Sequence, residues 1–145
     1  MRKLLKSKED KNECYNNISH RFYSQQRNLK TGKTKENYKN SLTPEQYRIT
    51  REGGTEAPFT GQYCTLFEPG SYLCICCGTP LFNSEAKYDS GSGWPDFHET
   101  IIEGVIKYED DFSGGTKQTE VKCSKCDAHL GHIFNDGPPP DFKRY

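Results

Sequence analysis

The stretches "CICCG" at residues 74–78 and "CSKC" at residues 123–126 decide how this chain folds. Each contains a Cys-x-x-Cys pair, and together they supply four candidate metal ligands: Cys74, Cys77, Cys123 and Cys126. Two thiolates at this spacing on a tight turn can reach one ion about 2.3 Å away, and four thiolates form the closed tetrahedral set of structural zinc. Gly78 permits the left-handed backbone that such a turn often needs. We therefore predict a structural Zn²⁺ site that clamps two hairpins.

Other interpretations of these cysteines are a redox Cys-x-x-Cys, two disulfides, or thiols buried as small hydrophobic groups. A redox motif normally occurs once, in a βαβ context that this sequence lacks. The first 17 residues have no apolar core of the length that a secretory signal needs, which disfavours a disulfide framework. Cys76 remains an alternative to Cys77 as a ligand.

The composition indicates a small core. Only 32% of the residues are hydrophobic and the mean hydropathy is −0.96, so an additional stabiliser such as zinc is expected. The aromatic content of 12% and the 13 glycines favour a turn-rich β protein. No run of 18 apolar residues occurs, and we expect no membrane partner.

Charge divides the chain into two parts. Residues 1–40 carry 11 Lys/Arg against 4 Asp/Glu, a net of +7, whereas residues 41–145 carry 9 against 16, a net of −7. The first part offers little to bury, so we predict a basic, disordered tail or targeting segment over 1–40 and one folded domain over 41–145. The acidic domain disfavours a nucleic-acid ligand.

The basic segment of residues 1–40 contains the signals that concern cellular location. The stretch from Arg21 to Ser24 resembles a mitochondrial cleavage site, but Glu9, Asp10 and Glu13 do not suit a transit peptide. We expect an intracellular protein, cytoplasmic in the first instance and mitochondrial as the alternative.

Local signals predict one helix and several strands. Ser41 or Thr43 can cap a helix that has Pro44 in its first turn, and Gly53-Gly54 ends it. Residues 70–82 read as a β run that is interrupted by glycine and proline. Residues 100–110 and 119–126 read as strands that flank a turn. The expected fold is mainly β (α+β): two small antiparallel sheets with a short N-terminal helix, clamped by a four-cysteine zinc site.

Three further stretches carry a family resemblance: "YRITREGGTEAPFTG" at 47–61, "KYDSGSGWPDF" at 87–97 and "HLGHIFNDGP" at 129–138. With the cysteine pairs, they resemble the B-type methionine-R-sulfoxide reductases, in matching order from residue 42 to residue 145. The resemblance implies reduction of methionine-R-sulfoxide in proteins to methionine, as repair of oxidative damage. The rival hypothesis is a zinc-stabilised module that binds oxidised methionine or a protein partner without turnover.

The resemblance also implies roles for individual residues. Trp94 holds the methyl group of the substrate, and His129 and His132 bind or protonate its oxygen. Asp136 orients a histidine or holds water, and Arg144 lies beside the nucleophile, where a cation raises the thiolate fraction. Taken singly, the same residues also fit plain structural roles as a core aromatic, satisfied or metal-bound histidines, a turn aspartate and a solvated charge.

Two departures from the family pattern matter. Ser92 stands where many members carry a resolving cysteine, so Cys64 is the best candidate for that role, with a passive thiol as the alternative. Thioredoxin or another thiol is the expected reductant, and a monomer is expected.

The second departure concerns the nucleophile, a cysteine or selenocysteine that in the family directly follows the residues matching Arg144 and Tyr145. No cysteine of the given sequence matches it, so we expect no normal turnover from the chain as given. Three explanations are open: a selenocysteine codon read as a stop, an incomplete or trimmed sequence, or a short non-catalytic form.

Overall fold

The computed structural model of the chain describes residues 4–7 and 35–145. Two elements overlap the predicted tail of residues 1–40: strand β1 at Leu4–Ser7 and helix α1 at Lys35–Ser41, which ends one residue beyond the tail. Those two pieces are therefore ordered elements. The rest of the predicted tail, including the cleavage-like stretch, lies outside the described residues, so the disorder and targeting predictions stay predictions there.

Helix α2 at Pro44–Glu52 begins and ends where the local chemistry predicts. The Oγ1 of Thr43 accepts a hydrogen bond from the backbone N–H of Gln46 at 3.2 Å, and the Gln46 side chain accepts from the Thr43 N–H at 3.0 Å. This reciprocal capping satisfies two backbone donors that a helix start leaves open. Gly53 ends the helix in the left-handed conformation, with φ of 69°. The predicted helix is confirmed.

The remaining elements are short strands and one 3₁₀ turn. In chain order they are β2 Ser71–Cys74, β3 Pro80–Asn83, the 3₁₀ turn Ser84–Ala86, β4 Lys87–Tyr88, β5 Asp96–Phe97, β6 Ile106–Asp111, β7 Gln118–Cys123 and β8 His129–Ile133. The described strands form three antiparallel sheets, ordered β1-β2-β3, β4-β5 and β6-β7-β8. Small antiparallel sheets with a short helix were predicted, and the structure divides the strands among three sheets instead of two. No helix in the described part of the chain is long and apolar enough to cross a membrane.

Aromatic side chains join the first two sheets. The rings of Phe82 and Phe97 stack with their centroids 4.4 Å apart, and Tyr72 meets Phe97 edge-on at 5.0 Å. Tyr72 and Phe97 are 0% and 1% exposed. Burial of one such ring contributes roughly 1.5–3 kcal/mol, so this cluster holds β5 against β2 and β3.

The segment after β8 folds back on the domain. The backbone of Arg144 pairs with that of Phe134, and Tyr145 exchanges two backbone hydrogen bonds with Phe97 at 2.9 and 3.2 Å. Gly137 lies in the intervening loop, where a Cβ atom would overlap the backbone of the returning segment. Only glycine tolerates so close an approach. The return brings Arg144 next to β5.

Candidate metal centre and active site

The four predicted metal ligands lie together. The Sγ atoms of Cys74, Cys77, Cys123 and Cys126 are all within 4.8 Å of one another. Two separations join β2 and its turn to the second cysteine pair: the sulfurs of Cys74 and Cys126, and those of Cys77 and Cys123, are each 3.6 Å apart. A tetrahedral zinc with Zn–S bonds of about 2.3 Å sets its sulfurs about 3.8 Å apart. The donor set therefore fits Zn²⁺.

Two alternative interpretations of these cysteines do not match the geometry. All six described cysteines are free thiols, and sulfurs 3.6 Å apart are well beyond the length of a disulfide, about 2.05 Å. Cys76 is buried but does not belong to the set of four. Cys77 is thus the residue that completes the first pair.

Both cysteine pairs sit on turns of the same kind. The N–H of Gly78 donates to the carbonyl of Cys74 at 2.7 Å, and the N–H of Asp127 donates to that of Cys123 at 2.9 Å. Gly78 and Asp127 have φ of 73° and 61°. Glycine was expected at such a position, and aspartate tolerates the left-handed region better than most residues. Two matching local turns therefore present the four thiols.

Arg51 ties helix α2 to the metal centre. Its Nη2 donates to the carbonyl of Cys126 at 2.8 Å and lies 3.7 Å from the sulfur of the same residue. Its guanidinium carbon is 4.4 Å from the ring centroid of Tyr38 on α1. A positive group at this position would offset part of the negative charge of four metal-bound thiolates. Arg51 was not identified from the sequence, because no local pattern links residue 51 to residue 126.

The two histidines form a pair on β8. The rings of His129 and His132 meet edge-on with centroids 5.6 Å apart. Nδ1 of His129 is 2.5 Å from Oε1 of Glu120, and Nε2 of His132 is 2.7 Å from Oδ2 of Asp111. Each histidine is therefore held by a carboxylate through a different ring nitrogen. Neither belongs to the set of groups that could hold a metal ion.

The carboxylate partners of the histidines come from the other two strands of the same sheet, Asp111 from β6 and Glu120 from β7. The hydrogen bond from His132, followed by one from the backbone of Ser113, holds the pKa of Asp111 well below its usual range. Asp111 is therefore ionised at neutral pH. Lys122 lies 3.3 Å from Glu120, so a cation supports the second carboxylate.

Arg144 binds two carboxylates. Its Nε and Nη2 donate to the two oxygens of Asp136 at 2.7 and 3.0 Å, and Nη1 donates to Asp96 at 3.4 Å. The hydrogen bond from Arg144 lowers the pKa of Asp136, and the same contact raises the pKa of Arg144. Asp136 thus contacts the arginine and not a histidine.

Trp94 is connected to Arg144 through hydrogen bonds. The N–H of Trp94 donates to Oγ of Ser92 at 3.2 Å, and that hydroxyl donates to Asp96 at 2.6 Å. Asp96 is 4% exposed and also accepts from Ser90 at 2.5 Å. The indole N–H donates to the carbonyl of Glu56 at 3.0 Å. Asp96 is a further connecting residue that motif matching did not single out.

Phe134 lies between the histidine pair in the sequence and Arg144, which packs on its ring. Phe134 is two positions beyond His132 in an extended segment, so both side chains lie on one side of the chain. The guanidinium carbon of Arg144 lies 4.3 Å from the centroid of the Phe134 ring.

Cys64 is half-buried and has a free thiol, and its backbone carbonyl accepts a hydrogen bond from Lys87 at 3.1 Å. Its thiol has no described contact with this polar site.

Fold and site together define a small β-rich domain with a four-cysteine cluster that could hold a metal ion and a polar site of histidines, carboxylates and an arginine. Residues 42–145 match the model of the SelR domain. The chain therefore belongs to the SelR family.

Curated relatives are about 50% identical in sequence to this chain over most of its length. A peptide methionine sulfoxide reductase MsrB of Acinetobacter baylyi is 53% identical over 116 residues, which cover 80% of this chain and 84% of that protein. The methionine-R-sulfoxide reductase B3, mitochondrial, of Mus musculus is 52% identical over 119 residues, covering 82% of this chain and 47% of the mouse protein. A peptide methionine sulfoxide reductase MsrB of Leptospira interrogans is 50% identical over 118 residues, covering 81% and 90%.

Proposed function

We propose that this chain carries the fold and polar site of a peptide-methionine (R)-S-oxide reductase, which reduces methionine-R-sulfoxide in proteins to methionine. The observation that supports the proposal is the pair of carboxylate-held histidines, which lies on the strand that leads into Phe134, where Arg144 packs, in a domain that also brings four cysteines together. The relatives named methionine sulfoxide reductases are 50–53% identical to this chain over 80–82% of its length. Their names support the same reaction here.

The nucleophile is placed at the residue that follows Tyr145, as the family pattern implies. Tyr145 and Phe97 form an antiparallel pair, so a following residue runs opposite Asp96. Arg144 donates to Asp96 from the same side. A cysteine or selenocysteine there is adjacent to a cation, which lowers the pKa of a thiol and increases its thiolate fraction.

The reaction then needs one attack and one proton. The thiolate or selenolate attacks the sulfoxide sulfur and supplies two electrons, and the S–O bond of the substrate breaks. The oxygen ends on the enzyme as a sulfenic or selenenic acid, and methionine leaves. His132 or His129 supplies the proton to the oxygen. Trp94 supports the methyl group with the face of a ring that its bond to Glu56 holds in place.

A second thiol completes the cycle. It displaces the sulfenic oxygen as water and forms a disulfide, which thioredoxin or another dithiol reduces. Cys64 is proposed as this thiol, with an external thiol as the alternative, since Ser92 occupies the position of the usual resolving cysteine.

Zinc is proposed as a structural ion with no part in the chemical step. Cys74, Cys77, Cys123 and Cys126 would hold it, and four thiolates close its coordination shell. Its contribution is folding free energy, because the two turns that carry the ligands come from separate hairpins. A monomer in a reducing compartment, the cytoplasm in the first instance, suits the free thiols.

One assay tests the proposal. Dithiothreitol-dependent reduction of the R and S epimers of methionine sulfoxide is measured with the chain as given and with a chain extended by a cysteine and the last strand of the family. The extended chain should reduce the R epimer alone, and a serine in place of the added cysteine should abolish the activity. A folded, zinc-loaded extended chain that leaves the R epimer intact would instead point to a non-catalytic binding module.

A further inference from the structure

We propose that Asp111 is a positioning residue that holds the proton of neutral His132 on Nε2 and leaves Nδ1 as the nitrogen that exchanges a proton with the substrate. The proposal rests on the proposed function for its catalytic part only. The tautomer itself is a property of the folded chain.

Asp111 reaches His132 across a strand. It ends β6, whereas His132 lies on β8, and β7 runs between them. Asp111 pairs with Gln118 in the sheet register, and His132 pairs with Glu120. The contact of 2.7 Å between Oδ2 of Asp111 and Nε2 of His132 is therefore a side-chain contact and not a consequence of direct pairing.

The carboxylate is itself fixed in orientation. Its Oδ1 accepts a hydrogen bond from the backbone N–H of Ser113 at 2.9 Å, which leaves Oδ2 for the imidazole. The side chains of Asp111 and His132 are 19% and 20% exposed, so both are largely shielded from water. The contact is short and directed at one nitrogen.

Hydrogen-bond chemistry then decides the tautomer. An ionised carboxylate only accepts hydrogen bonds, so the nitrogen that faces it must carry a proton. Neutral imidazole has one N–H, which places the lone pair of His132 on Nδ1. Nδ1 makes no hydrogen bond with any residue that the structure describes. A proton that His132 gains or gives up therefore passes through Nδ1.

His129 is held in the opposite sense. Its Nδ1 faces Glu120 at 2.5 Å, and its side chain is 6% exposed. The two carboxylates thus assign different nitrogens to the two histidines of one motif. His132, which is more exposed, is the histidine better placed to exchange a proton with a bound molecule.

Replacement of Asp111 by asparagine tests the tautomer assignment directly. The amide oxygen keeps the Ser113 N–H, because the amide nitrogen cannot accept it, and the NH₂ group then takes the place of Oδ2. The NH₂ group donates a hydrogen bond to Nε2 of His132, so the single proton of the neutral imidazole moves to Nδ1. Asp111→Asn should therefore reverse the tautomer with no change in shape.

Asp110→Asn is the matched control. Asp110 precedes Asp111, and its carboxylate lies 3.0 Å from Lys117 with 55% of the side chain exposed. The control removes the same charge one position away without touching a histidine. Long-range ¹H–¹⁵N NMR of the zinc-loaded chain, at a pH where His132 is neutral, reads both ring nitrogens directly.

The expected spectra show His132 protonated on Nε2 in the given chain and in Asp110→Asn, and on Nδ1 in Asp111→Asn. A bare Nε2 in the given chain overturns the inference, even if the variant fails to fold. An unchanged tautomer in a folded Asp111→Asn variant also overturns it.

Activity of the extended chain tests the catalytic part. Asp111→Asn should lower kcat for the R epimer on the order of 10²-fold with little change in KM, because the imidazolium that donates its proton from Nδ1 loses the carboxylate that balances its charge, and Asp110→Asn should leave kcat unchanged. Equal kcat for the extended parent and Asp111→Asn refutes that role. An inactive extended parent would defeat the proposed function, whereas the NMR result would stand by itself.

Discussion

The four-cysteine centre and the histidine–arginine site are built in different ways. Each half of the metal centre is a turn of five residues, closed by its own backbone hydrogen bond. The polar site takes its groups from β6, β7, β8, the loop before β5 and the returning C-terminal segment. Local geometry therefore presents the thiols, whereas sheet register and chain return assemble the polar site.

The two regions also differ in their electrostatics. The thiols are mostly buried and would share one ion, so loss of any ligand affects the whole centre. The polar site consists of hydrogen-bonded ion pairs that contribute unequally to stability. The Asp136 side chain is 63% exposed, so its pair with Arg144 is screened by water. The Asp96 side chain is buried and depends on its few hydrogen-bond donors.

The largest expected effect comes from a metal ligand. Cys123→Ser should abolish stoichiometric zinc and the cooperative thermal transition, because binding of structural zinc is worth on the order of 10 kcal/mol, comparable with the whole stability of a domain. Zinc analysis and thermal unfolding followed by circular dichroism measure both. Cys64→Ser, outside the cluster, is the control and should keep zinc and the transition. Cooperative unfolding of a zinc-free Cys123→Ser protein would contradict the clamp.

A smaller effect is expected at the polar site. Arg144→Met leaves buried Asp96 with two serine donors and should lower the free energy of unfolding by about 1–3 kcal/mol. The pKa of Asp136 should rise back toward its usual range, which carboxyl NMR detects. Zinc content should not change.

The control for that variant is Arg48→Met on helix α2. Arg48 pairs with Glu45 on an exposed face, where water screens the charges, so the loss of free energy of unfolding should be smaller than for Arg144→Met. If both variants lose the same free energy of unfolding, the contact with buried Asp96 makes Arg144 no more important to stability than a surface arginine.

The last effect is confined to zinc affinity and concerns the link between helix α2 and the four-cysteine cluster. Arg51→Met removes the donor to the carbonyl and sulfur of Cys126 and should weaken zinc binding by about 10–100-fold, as for other groups that support metal ligands. Competition with a chromophoric chelator measures the affinity. Arg48→Met again controls for the loss of one positive charge on the same helix. Equal affinities in the two variants would show that Arg51 only packs against the centre.

Much of the local structure could be predicted. Thr43, Pro44 and Gly53 mark the ends of α2, and Gly78 takes the left-handed conformation that its turn requires. These features depend on residues a few positions apart. The family resemblance added the histidines, Trp94 and Arg144 as site residues, and their catalytic roles stay predictions.

The partners of the site residues could not be predicted in the same way. Strand alternation places Glu120 and Lys122 on one face of β7, and two charged residues there indicate a polar face. It does not say that Asp111 spans a strand to His132, or that Arg51 meets Cys126. Those contacts depend on register and on side-chain reach between distant segments.

The sequence by itself determined the class of fold, the four thiols and the turns that present them, because spacing and backbone preference act over a few residues. Only the tertiary structure decided which carboxylate holds which histidine nitrogen and why Asp136 serves Arg144 instead of a histidine. The reason is physical. A hydrogen bond between segments depends on strand register and on where the chain returns, and neither is set by the residues next to the bond.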